Sequence, residues 1–142
     1  MSGLLPTRSQ VLHACRGGEA DHPVLRAARE LTTLHERRFT EAGETVREID
    51  DFRARHVRDI DRWVAAHLPP ARGGAYLHTE TVGAILDRLA QLAAFAYLAL
   101  AEEADWDLWF AWERLAELAV GYEDLVDELS AGRRRLPGGC GE

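Results

Sequence analysis

The 142 residues predict an all-α protein, a single-domain up-down bundle of four main helices with a short helix ahead of them. Three observations support this. Apolar residues recur at spacings of three and four in every long segment. Each such segment is bounded by cap, proline or glycine signals. No stretch shows the apolar–polar alternation of a half-buried strand.

Residues 1–20 read as a loosely ordered segment with a short helix from Thr7 to Arg16, stopped by Gly17-Gly18. His13 is expected at the surface. The bundle proper is expected over 21–132. Its first long helix begins at Asp21 or His22 as cap, with Pro23 in the first turn, where proline is tolerated. Val24, Ala28, Leu31 and His35 fall on one face, with Leu34 and Phe39 beside it, and Gly43 is expected to end the segment. The next helix, Glu44 to His67, carries the apolar stripe Val46, Ile49, Phe52, Ile60, Trp63 and Val64. His56 sits in that stripe and His67 at its end. The remaining arginines and carboxylates of this helix read as a solvated face of i,i+4 pairs, each worth about 0.2–0.5 kcal/mol. Pro69-Pro70 stops the helix.

A third helix, capped by Thr79, covers the most apolar stretch of the chain, TETVGAILDRLAQLAAFAYLALA at 79–101. A helix apolar nearly all round belongs at the centre of a bundle. Yet Glu80, Asp87 and Gln91 project within about 40° of one another, with Arg88 at their edge. EEAD at 102–105 interrupts the run. The fourth helix, about Asp105 to Ala131, has Leu108, Trp112, Leu115, Ala119, Tyr122, Val126 and Leu129 as its inward seam. Gly132 ends it, and 133–142 is expected to be a flexible tail.

Composition narrows the function. Net charge is −7, which argues against nucleic acid and anionic membrane as partners. All 17 basic residues are arginine, which excludes lysine Schiff-base chemistry and a Walker-type phosphate loop. Cys15 and Cys140 form no framework and no CxxC metal motif. The N-terminus lacks a basic-then-apolar leader pattern, and Asp87, Arg88 and Gln91 interrupt the one run near spanning length. A cytoplasmic location is expected.

The polar stripe is the main functional candidate. Glu80 and Asp87 would serve as acid and base, because a carboxylate among apolar side chains has its pKa moved toward neutrality. His35 and His56, inward on neighbouring helices, would assist proton transfer. Arg88 would hold an anionic ligand group, with Gln91, Thr81, Gly83 and Arg55 around it. The structural alternative is that Arg88 neutralises Asp87 and Glu80 only caps its helix. Gly83 costs about 1 kcal/mol in a helix and admits another backbone or a ligand. On this reading its replacement by leucine abolishes ligand binding and spares the fold. The Glu-x-x-His spacing of a carboxylate-bridged metal bundle occurs only at Glu19–His22, in an expected loop and not on two helices, so no metal and no cofactor are expected. Trp106, Trp109, Phe110 and Trp112 cannot all face one side, so at least one is expected at the surface, in a ligand wall or a homodimer patch. The expected function is cofactor-independent small-molecule binding or catalysis. The alternatives are a non-enzymatic homodimeric interaction or scaffold protein and, third, a metal-dependent carboxylate/histidine bundle.

HTETVGAILDRLAQL at 78–92 resembles the Asn-Ser-Glu-Thr-Pro-Gly-x-x-x-Asp-Arg-Leu core of a bacterial helical family, the domain of unknown function DUF4254. LHERRF at 34–39, RARHVRDIDRWV at 53–64 and GRRR at 132–135 are similar to its other segments. The resemblance maps onto Glu80, Thr81, Gly83, Asp87, Arg88 and Leu89, and onto Arg55 and Asp61. His78, Thr79 and Val82 depart from it, and His56 falls near a family asparagine. The resemblance implies a bacterial, biosynthetic setting and supplies no reaction.

Overall fold

The computed structural model describes residues 5–102 and 105–138, without the side chains of 105–107. Five helices follow in order: α1 (Arg8–Cys15), α2 (Pro23–Arg38), α3 (Glu44–His67), α4 (Val82–Ala101) and α5 (Asp105–Ser130). Two short strands, β1 (Tyr76–Leu77) and β2 (Arg134–Arg135), pair in parallel. The all-α class and the four main helices are as the sequence predicts.

Helix α4 is the centre of the bundle and packs on α1, α2, α3 and α5. Val82, Ile85, Leu86, Leu89, Ala90, Ala93, Ala94, Ala96 and Ala99 are buried along it. The run of alanines keeps its surface slim, so neighbouring helices approach closely while larger side chains such as Leu31, Ile60, Val64 and Tyr122 fill the remaining space. By length and composition α4 could also cross a membrane. Here its apolar face is the core of the bundle.

Helix α1 belongs to that core, where a loosely ordered segment was expected. Val11, Ala14 and Cys15 are buried, and Thr7 and Gln10 cap the helix reciprocally, at 3.1 and 2.8 Å. The Tyr122 hydroxyl donates to the Pro6 carbonyl at 2.7 Å, tying the start of the chain to α5. The amphipathic pattern of α1 is too short to reveal this from sequence. Helices α1 and α5 both end in glycines at positive φ, Gly17 (88°) and Gly132 (74°), which any side chain would strain. After Gly132 the chain does not fray. Tyr76 N–H donates to the Arg133 carbonyl at 3.0 Å and His78 N–H to that of Arg135 at 2.8 Å. The expected flexible tail is therefore held as far as the described residues reach, and Cys140 lies beyond them.

Other departures have simple causes. Thr81, not Thr79, caps α4, because its hydroxyl reaches Ala84 N–H at 3.1 Å. Gly43 is the cap residue of α3 and not the end of α2, which stops at Arg38. Phe52 is exposed, with the Arg55 guanidinium 5.3 Å from its ring centre. His67 is also exposed, stacked on Trp63 at 4.1 Å. On α5 the inward seam runs through Ala111, Leu115, Ala119, Tyr122, Leu125 and Leu129. Trp112 lies beside it, edge-on to Tyr97 at 5.6 Å.

Tyr122→Phe leaves a buried Pro6 carbonyl without its donor. It is expected to lower stability by about 1–3 kcal/mol, measured as a shifted urea midpoint with an unchanged slope.

Candidate functional site

The inward directions of α2, α3 and α4 bring a chain of alternating charges together. His35 lies on the buried face of α2 and is 2% exposed. Its Nε2 is 2.8 Å from Asp87 Oδ1 on α4. An ionised carboxylate only accepts, so Nε2 carries the proton. From α3, Arg53 grips the same carboxylate with two prongs, Nη2 to Oδ2 at 2.7 Å and Nε to Oδ1 at 3.3 Å. The third nitrogen of Arg53, Nη1, reaches Asp50 Oδ1 at 2.7 Å. Asp50 in turn takes two bonds from Arg38 of α2, at 2.8 and 3.1 Å. The order is His35, Asp87, Arg53, Asp50, Arg38. It climbs from the core to the surface, from a side chain 3% exposed to one 44% exposed.

Burial pushes the Asp87 carboxyl up, but hydrogen bonds from His35 and Arg53 outweigh it and hold the group below the usual carboxylate range. The expected rise toward neutrality is thus reversed, and Asp87 is a fixed negative charge. For Asp50, the hydrogen bond from Arg38 dominates and lowers the pKa to about 2. Among the described residues, no buried side-chain nitrogen or oxygen lacks a partner. The buried end of the network is saturated, so there it fastens three helices and leaves the Asp87 carboxylate no free place for a ligand.

A second polar contact fastens α3 to α4. Asp61 Oδ1 accepts from Gly83 N–H at 2.7 Å and also bonds the Thr81 hydroxyl. A carboxylate of one helix thereby caps the N-terminus of the next, where its charge suits the helix dipole. Burial raises the Asp61 pKa, against the lowering effect of these two bonds. Gly83 is explained by the same crossing. A Cβ there would lie 2.5 Å from the Val57 carbonyl and 2.7 Å from Asp61 Oδ1. Its space belongs to the backbone of α3, not to a ligand, so leucine at this position would not spare the fold.

The stripe of α4 therefore divides. Asp87 turns into the interhelical network. Arg88 pairs with Glu80, which precedes the cap Thr81, and both lie toward the surface. Arg53, not Arg88, neutralises Asp87. Gln91 is exposed. His56 is half-buried and joins none of these bonds, and Arg55 is exposed over Phe52. The structure therefore unites His35, Asp87, Thr81 and Gly83 with α3, and leaves His56, Arg55, Arg88 and Gln91 outside. Arg53, Asp50 and Arg38 were missed. Arg53 had a readable signal: Ile49, Ile60 and Val64 set the inward direction of α3, and Arg53 projects within about 40° of all three. His56 and Phe52 lie at or beyond the margin of that arc.

No three histidine, cysteine or carboxylate side chains among the described residues are grouped to hold a metal ion. An open groove of about 580 Å³ lies elsewhere, between β1, the entry to α4 and the end of α5. Leu77, His78, Thr79, Asp124, Asp127 and Arg134 line it. Glu128 in its wall holds Arg133 at 2.6 Å and Arg134 at 3.9 Å. Asp124 and Asp127 are exposed and form no ion pair among the described residues.

Two outcomes follow from the interhelical contacts. Gly83→Ala is expected to cost about 1–3 kcal/mol through overpacking against Val57, read from urea denaturation. Asp87→Asn is expected to cost about 1.5–3 kcal/mol at neutral pH, as for a lost charged hydrogen bond. The folded-state pKa of Asp87 is depressed, so its contribution is present above the ordinary carboxylate value and lost as pH falls through the lower one. The stability gap between the variant and the unmodified protein should accordingly narrow below about pH 4.

The sequence matches the family described as a protein of unknown function, DUF4254, over residues 24–137. No curated protein and no solved structure matches the chain. The matched span begins inside α2 and runs past β2, so it takes in the charge network, the Asp61 crossing and the groove alike. On a match of that extent, the chain belongs to the DUF4254 family.

Proposed function

We propose that the protein binds a small polar molecule in the groove at the entry to α4, and that the charge network of α2, α3 and α4 is its scaffold. The supporting observation is convergence: β1 and its following turn, the last turns of α5, and β2 all turn side chains into one cleft. Its volume of about 580 Å³ suits a small ligand. His78 and Thr79, which lead into α4 and depart from the family core, form part of its wall. Asp124 and Asp127 would take a cationic group, and the guanidinium groups of Arg133 and Arg134 an anionic one. His78 adds an imidazole able to donate or accept. A zwitterion is the ligand these groups fit best, in the bacterial cytoplasmic and biosynthetic setting expected from the sequence. Acid–base catalysis at Asp87 is not part of this reading, because Arg53 and His35 occupy that carboxylate.

A second reading, a non-enzymatic interaction protein, is favoured by the exposure of Trp109, at 59%. The two readings occupy different places. Trp109 and Asp124 are separated along α5 by about 22 Å.

Thermal unfolding in the presence of small amino acids, amines and carboxylates tests the proposal. A zwitterionic compound at about a hundred times its Kd is expected to stabilise the protein by about 2.7 kcal/mol. The shift should vanish in the Asp124→Asn, Asp127→Asn double variant and persist in Gln91→Ala. Loss in Gln91→Ala with retention in the double variant would move the ligand to the α4 stripe.

A further inference from the structure

Helix α5 has a second apolar stripe, exposed beside its inward seam. Trp109, Trp112, Ala116 and Val120 are all exposed, and they project within an arc of about 80°. Their spacing of three, four and four residues is that of a helix prepared to meet another helix. Trp109 is more exposed than Trp112 and Val120, with Phe110 edge-on to it at 5.3 Å.

The charges beside the stripe decide what fits on it. Glu113 and Glu117 flank one side, exposed and without an ion pair among the described residues. The whole of α5 contains eight carboxylates and one basic residue, Arg114, which projects about 140° away from Trp109. A second copy of the chain would bring the same carboxylates against these, and like charges in contact are costly. An anionic lipid surface is repelled for the same reason. A basic helix is not.

We infer that this exposed face of α5 docks a basic amphipathic helix from a partner protein. Its apolar residues would cover Trp109, Trp112, Ala116 and Val120, and its arginines or lysines would pair with Glu113 and Glu117. This is the helix-in-groove mode with i, i+3, i+4 and i+7 anchors, and tryptophan is the side chain most often dominant at the centre of such contacts.

The probe is a synthetic peptide of about 18 residues, with leucines at that spacing and arginine elsewhere. Controls are a scrambled peptide of the same composition and an analogue with glutamate for arginine. Saturable binding, read by tryptophan fluorescence and peptide anisotropy, is expected for the first peptide alone. Trp109→Glu and the Glu113→Arg, Glu117→Arg double variant, with helical content checked by circular dichroism, should each weaken it about tenfold or more. Equal binding of the scrambled peptide, or no binding of any, overturns the inference. A dimer in light scattering that Trp109→Glu dissociates assigns the face to a second copy and overturns it too. So does sedimentation with phosphatidylserine vesicles that the same substitution abolishes.

Discussion

Asp87 stands where three helices meet, and the bundle is built around keeping its charge satisfied. A carboxylate half-buried against α2 and α3 costs several kcal/mol unless it is paired with good geometry. Here the imidazole of His35 takes one side and the fork of Arg53 the other. Each partner comes from a different helix, so Asp87 is satisfied only when α2, α3 and α4 are in register. A slide of one helix by a single turn, about 5.4 Å, would leave a buried charge alone. Apolar packing among alanines and leucines has no comparable penalty for small slips. The polar contact supplies specificity, while the apolar contacts supply most of the stability.

That arrangement depends on a chain whose basic residues are all arginine. Arg53 bridges two carboxylates with three separate nitrogens, and Arg38 takes Asp50 with two. A lysine ammonium is a point donor on a flexible stem and has no planar fork to span the same pair. Substituting lysine for Arg53 would keep the sign of the charge and lose the geometry.

The helices were legible in sequence because their caps and periodicities are local. Thr7, His22-Pro23 and Gly132 mark boundaries by their own chemistry. The site was legible only in part. Asp87 and His35 stood out as polar residues on apolar faces, whereas Arg53 was hidden among the arginines and carboxylates that alternate along α3. Its direction relative to Ile49, Ile60 and Val64 carries the information, and counting charges does not. The fate of Gly83 was open for a different reason. A glycine shows that something comes close, and only the crossing of α3 shows that it is the Val57 backbone. The pairing of β1 with β2 involves two residues on each side, too few for any alternation to register.

The bond between Tyr122 and Pro6 spans 116 residues of sequence. During synthesis, α1 emerges well before the surface that completes its environment. Its apolar face, with Val11, Ala14 and Cys15, meets α2 first and is completed only by α4 and α5. An eight-residue helix is marginal alone in water. Its final order therefore waits on contacts distant in sequence, which slow folding because a long loop must close before they form. Helix α1 thus has only α2 to rest on until α4 and most of α5 have been made, and a chaperone can reach its uncovered side throughout that interval.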